Sequence, residues 1–101
     1  MFERRDLSED EALLTVVGSL SGETTNEFHR QVEELAGASY VTISLDLSRT
    51  DSINSSALGK ILLFRKKLAE QQRTLQIKGC SESLFKTFQM IKFDTLISIK
   101  R

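Results

Sequence analysis

Proline and tryptophan are absent from the sequence, and cysteine, histidine and tyrosine each occur once. Without proline there is no rigid linker and no proline-rich ligand segment. A lone cysteine, Cys80, excludes an internal disulfide and a multi-cysteine zinc site. Its expected role is that of a small buried residue at a strand end. No apolar run approaches the ~18 residues of a membrane helix, and no charged-then-apolar leader opens the chain. A reduced, cytoplasmic setting without membrane attachment is therefore expected. Catalytic signatures are missing too. There is no Gly-x-Ser-x-Gly elbow, no glycine-rich dinucleotide loop and no Walker lysine, and no pair of carboxylates has a spacing that demands acid–base work. His29, beside Phe28, is expected on a helix facing solvent. The sequence reads as neither an enzyme nor a holder of a metal or cofactor.

The 101 residues suffice for one domain, 1–101, and not for two. A 40% hydrophobic fraction can build a core, and 28% charged residues make an ordinary surface. The net charge is zero but unevenly spread. Residues 1–37 carry nine acids and three bases, and the remainder five acids and eleven bases. Lys60, Arg65, Lys66, Lys67 and Arg73 cluster on or near one predicted helix, and basic helices can follow nucleic-acid phosphates. Overall neutrality and scarce aromatics favour a solvated helix face instead, so no nucleic-acid partner is expected.

Hydrophobic periodicity orders the elements. "EALLTVVGSL" predicts a strand ended by Gly18, with "FERRDL" pairing outside it. Thr24 and Glu27 have capping-box spacing and predict a helix start near Thr24. Phe28, Val32, Leu35 and Ala36 form its apolar stripe, and Gly37 its C-cap. In "YVTISLDLS", Val41, Ile43, Leu45 and Leu47 share one face, while Thr42, Ser44, Asp46 and Ser48 share the other. A central parallel strand covered by helices on both sides should be apolar on both faces. The helices should therefore cover one face only. A second helix is predicted from about Ser55 to Gln71, with Ala57, Leu58, Ile61, Leu62, Arg65, Leu68 and Ala69 on its inner side. "TLQIKGC" predicts a strand. Ser81 caps a third helix, buried through Leu84, Phe85, Phe88 and Ile91, and "DTLISIK" predicts the last strand. Alternating strands and helices imply an α/β domain: a mixed, mainly parallel sheet of about five strands with helices on one face.

In such sheets partners meet the loops after the strands' carboxyl ends, and the loop 49–54 delivers Asn54, Ser55 and Ser56 to a helix start. One residue is enough for a cap, yet three small polar residues stand in a row. First-turn N–H groups lack intrahelical acceptors and welcome negative charge. A phosphate on a first-turn serine would add about −1.5 to −2 charges to the surface. The alternative use of the same residues is capping alone.

The stretch "LDLSRTDSINSSALGKIL" resembles the signature of the STAS domain, the family of anti-sigma factor antagonists. The matching residues are Asp46-Leu47-Ser48, Ile53 and Asn54-Ser55-Ser56-Ala57-Leu58-Gly59. "VVGSLSGETTNEFHRQVEEL" and "KGCSESLFKTFQMIKFDTLISI" extend the likeness to nearly the whole chain. The resemblance implies a phosphoacceptor at Ser55, with Ser56 as fallback. Its implied partners are an anti-sigma factor that is also a serine kinase, and a serine phosphatase. The implied docking surface comprises Ser21, Gly22, Asn54, Ser55, Ser56, Gly59 and Lys60, with Gly59 allowing close approach of the second helix. Two departures stand out. Asn54 replaces the family's aspartate, for which Asp51 could compensate if the loop folds back, and Ala57 replaces a glycine. The alternative is a docking module that is never phosphorylated.

If the basic helix is only solvated, a labelled single strand or duplex should not bind even at low salt. Binding that falls steeply as salt is added would contradict this reading.

Overall fold

The chain order is β1 (Phe2–Asp6), β2 (Glu11–Val16), β3 (Gly18–Leu20), α1 (Glu23–Ala36), β4 (Thr42–Leu47), β5 (Thr50–Ile53), α2 (Ser55–Ala69), β6 (Thr74–Cys80), α3 (Glu82–Met90), a 3-10 turn (Phe93–Thr95) and β7 (Ile99–Lys100). This is a computed structural model, and it describes residues 1–100. Five strands form one sheet in the order β1-β2-β4-β6-β7. β1 runs antiparallel to β2, and the other neighbours are parallel, so the sheet is mixed and mainly parallel as expected.

Period-2 alternation separates the two faces of that sheet. Register places Ala12, Ile43 and Leu75 in one cross-strand row and Leu14, Leu45 and Ile77 in the next. All six are buried. They join the inner residues of the helices, chiefly Phe28 and Val32 of α1, Ile61, Phe64 and Leu68 of α2, and Leu84 and Phe88 of α3, in a single core. The other face is polar. Ser44 Oγ donates to Glu11 Oε2 at 2.6 Å, Gln76 Nε2 donates to Ser44 Oγ at 3.0 Å, and Lys78 Nζ lies 3.4 Å from Glu11. The Ser44 hydroxyl holds the Glu11 carboxyl below its ordinary range, helped by Lys78 and Lys100 against the cost of burial.

Several local expectations need correction. Thr24 does not cap α1. Its hydroxyl donates back to Ser19 O and Ser21 O, and the N-cap is Gly22, with no side-chain bond. β2 does end ahead of Gly18, at Val16, but Gly18 also opens a further short strand. Val41 precedes β4 and is exposed. The inner stripe of α2 is rotated so that Phe64 is buried, while Arg65 and Ala69 face solvent. Ile91 lies beyond α3 and is exposed. Phe93 takes its place in the core, its ring stacked on Phe88 at 5.1 Å. The last strand shrinks to Ile99–Lys100, because Phe93–Thr95 forms the 3-10 turn. Cys80 does end β6 but is only half-buried. Arg73 is not part of a basic patch. Its guanidinium donates to the carbonyls of Tyr40 (2.7 Å), Ala36 (2.8 Å) and Ala38 (3.1 Å), tying the end of α1 to the start of β6.

Two glycines separate backbone need from mere presence. Gly79 has φ +115°, a region that side chains avoid, and a Cβ there would lie 3.0 Å from Asp46 Oδ1. That oxygen is already held by Ser48 N–H (3.0 Å) and Ser48 Oγ (2.6 Å). Gly59 is helical, and a Cβ there would meet nothing within 4 Å. The expectation that Gly59 permits a close helix approach therefore fails. Gly79→Ala should lower stability by ~1–3 kcal/mol, whereas Gly59→Ala should raise it by ~0.5–1 kcal/mol. Urea unfolding midpoints check both, and a neutral Gly79→Ala would contradict the reading.

Candidate functional site

Beside the main sheet lies a two-stranded parallel pair, β3 with β5. Four features hold it. Gly18 N donates to Arg49 O at 3.0 Å, the buried Thr50 hydroxyl donates to Val16 O at 2.9 Å, Leu20 pairs with Ile53, and Asn54 N donates to Leu20 O at 3.1 Å. Each strand leads directly into a helix. β3 turns at Ser21–Gly22 into α1, and β5 turns at Asn54 into α2. Gly22 has φ 59° and ψ −129°, a conformation natural to glycine. The pairing thus brings Ser21 and Gly22 beside Asn54, Ser55 and Ser56, residues separated by more than thirty positions in sequence.

The three polar residues at the start of α2 divide the work. Asn54 is extended and its Oδ1 accepts the Ala57 N–H at 2.8 Å, which makes it the N-cap. Ser55 and Ser56 open the helix and are exposed. Among the described residues, no hydrogen bond engages either hydroxyl. Their backbone N–H groups have no intrahelical acceptor, so the positive end of the helix lies under free hydroxyls.

The other anticipated residues fall as follows. Gly59 is exposed one turn along α2. Lys60 is half-buried and turns toward α1, its Nζ 3.4 Å from His29 Nδ1. His29 is itself half-buried between the two helices, not free in solvent. Its ring lies 5.1 Å from Phe64, and its Nε2 lies 3.3 Å from Glu33. The segment 50–53 runs extended in β5, so the loop does not fold back to bring Asp51 into the place of the missing aspartate. Asp51 instead lines a hollow between β5, α2 and α3. Sequence reasoning missed the β3–β5 pair. Gly-Ser-Leu and Thr-Asp-Ser-Ile are too short and polar to show a strand period, so only tertiary pairing reveals them.

A family model described as "Mlab, STAS domain" matches residues 3–98. SpoIIAA, the Bacillus cell fate determinant and anti-sigma factor antagonist, is similar in two solved forms. The unphosphorylated form has a TM-score of 0.81 at 15% identity, covering 100% of this chain and 89% of that one. For the phosphorylated form the values are 0.75, 15%, 100% and 92%. An anti-sigma factor antagonist from Mycobacterium paratuberculosis gives 0.86 at 13% identity, with 99% and 84% covered. Identities this low speak for the fold alone. Among curated proteins, none matches the sequence.

If Asn54 is the cap and Ser55 is not, Asn54→Ala should cost ~1 kcal/mol of stability. Ser55→Ala should stay within about 0.5 kcal/mol of the parent. Denaturant unfolding of both variants checks this, and the opposite ranking would make Ser55 a structural residue.

Proposed function

Because the chain belongs to the STAS domain family, we propose that it acts as an anti-sigma factor antagonist-like regulator in a partner-switching pathway. In this reading it binds an anti-sigma factor that is also a serine kinase, and is controlled by reversible phosphorylation at Ser55. The observation that carries the proposal is the free, exposed Ser55 hydroxyl on a helix start that Asn54 already caps. No structural duty competes for that hydroxyl.

The chemistry follows from this placement. Ser55 Oγ attacks the γ-phosphorus of ATP held by the kinase, the bond to the ADP oxygen breaks, and the hydroxyl proton passes to a base. Asn54 cannot be that base, since an amide has no proton-accepting carboxylate. Its oxygen is moreover committed to Ala57 N–H. The kinase must supply the base, along with the nucleotide. Once attached, the phosphate brings about −1.5 to −2 charges next to the unpaired amides of the first turn. The helix can carry that charge while a partner packed on the Ser21–Gly22 and Asn54–Ser56 turns meets repulsion. Hydrolysis by a serine phosphatase restores the surface. The chain itself needs no cofactor and is no enzyme in this account, and it works in the cytoplasm. Among the described residues no helix is long and apolar enough to cross a membrane.

One observation favours a second reading. Asparagine stands where the family carries aspartate, and its side chain is spent as a cap. A docking module that binds its partner without being phosphorylated would need nothing more. Incubation with a purified candidate partner kinase and ATP, followed by intact-mass measurement, separates the two. The switch predicts one added phosphate that disappears in Ser55→Ala and persists in Ser56→Ala. It also predicts that Ser55→Asp weakens kinase binding by about tenfold or more, since like charges across an interface are costly. Binding without any added phosphate supports the docking module.

A further inference from the structure

Next to the start of α2, a hollow of about 150 Å³ opens between β5, α2 and α3. It is smaller than the ~300–1,000 Å³ typical of small-molecule sites, and matches one side chain better than a nucleotide. Its floor is apolar. Ile53 and Leu58 are half-buried there, and Leu84 and Phe88 are buried. Its rim is polar: Asp51, Ser52, Ser83 and Thr87.

The hydrogen-bond state of that rim selects the occupant. Thr87 Oγ1 donates its proton to Ser83 O at 3.2 Å, and Ser52 Oγ donates to Ser19 Oγ at 3.2 Å. Both hydroxyls are left with lone pairs. Asp51 is exposed, and no ion pair or hydrogen bond engages its carboxylate among the described residues. Ser83 Oγ is unengaged among the described residues and can donate as well as accept, so the one charge on the rim, the Asp51 carboxylate, decides the choice. The complementary group is a pure donor on an apolar stem, and an anion is disfavoured. A guanidinium has five donors and no acceptor, and pairs with a carboxylate through two parallel bonds. Its three-carbon stem can lie on apolar surface while the head stays at the rim.

We propose that this hollow receives an arginine side chain of the partner protein that docks on the α2 start. The stem packs on Leu58, Leu84 and Phe88, and the guanidinium pairs with Asp51. The proposal rests on the docking reading above and names a contact that reading did not contain. It gives α3 a part in recognition and makes Asp51, not Asn54, the acid that the partner meets. The arginine would hold the partner beside Ser55 in both the switching and the constitutive cases.

The test does not depend on finding the kinase. The isotopically labelled full chain is titrated with N-acetyl-arginine amide while backbone amide shifts are followed, in parallel with N-acetyl-norleucine amide and inorganic phosphate. The expected result is saturable shifts for arginine amide at Asp51, Ser52, Leu58, Leu84 and Thr87, and weaker ones for norleucine amide. Asp51→Asn should weaken the arginine response about three- to fivefold, as loss of an exposed ion pair allows. Asp51 is exposed, so the variant should fold, and an unchanged amide spectrum elsewhere checks that. Three outcomes would overturn the proposal: no arginine-specific shifts at the hollow, shifts unaffected by Asp51→Asn, or phosphate moving the same amides instead. A chain that is never phosphorylated at Ser55 but passes this titration would refute the switch and leave the arginine site standing.

Discussion

A single backbone ladder, β3 against β5, holds the account together. Its last bond, from Asn54 N–H to Leu20 O, is 3.1 Å long. Without it, the starts of α1 and α2 would be two unrelated surface turns. With it, Ser21 and Gly22 share an edge with Asn54, Ser55 and Ser56. The buried Thr50 hydroxyl anchors the pair to the main sheet through Val16 O, so the ladder is tied to the core and does not float as a loop. Buried polar groups need partners, and this bond gives Thr50 one.

The division of labour at the start of α2 follows from hydrogen-bond arithmetic. A helix start leaves its first N–H groups without acceptors. Asn54 satisfies one of them, at Ala57, and leaves the amides of Ser55 and Ser56 open. A residue that caps cannot also be spared for modification without loss of stability. By capping with Asn54, the chain leaves both serine hydroxyls available for other use. The same reasoning explains why the substitution of asparagine for the family's aspartate is tolerated by the fold. An amide caps as well as a carboxylate but takes up no proton.

Much of the fold is legible in the sequence, and the exceptions have physical causes. The alternation Ile43, Ser44, Leu45, Asp46, Leu47 correctly predicts helices on one face of the sheet and a polar face behind it. The cap at Ser81 is also legible, whereas at α2 the sequence leaves Asn54, Ser55 and Ser56 as candidates and the structure selects Asn54. The Thr24–Glu27 spacing misleads because Thr24 finds better acceptors in the preceding turn. Phe64 and Arg65 exchange their expected places because the unbroken apolar run Ile61–Phe64 spreads around α2, so period counting tolerates a rotation of one residue. The start of "DTLISIK" is taken up by the 3-10 turn Phe93–Thr95, which follows Lys92 at φ 59°. The contact of His29 with Lys60 and Phe64, and the hollow under Asp51, require the packing of separate elements. No local pattern carries them.

On this reading the amino end of α2 accepts a double negative charge at residue 55 without cost to the fold. The most direct test is the chemical denaturation of the chain with phosphoserine genetically encoded at position 55, beside the unmodified chain. The account predicts an unchanged or slightly higher midpoint, since an anion at a helix start gains ~0.3–1 kcal/mol. A midpoint lowered by more than about 1 kcal/mol equivalent, or loss of helical signal, would show that the hydroxyl belongs to the fold.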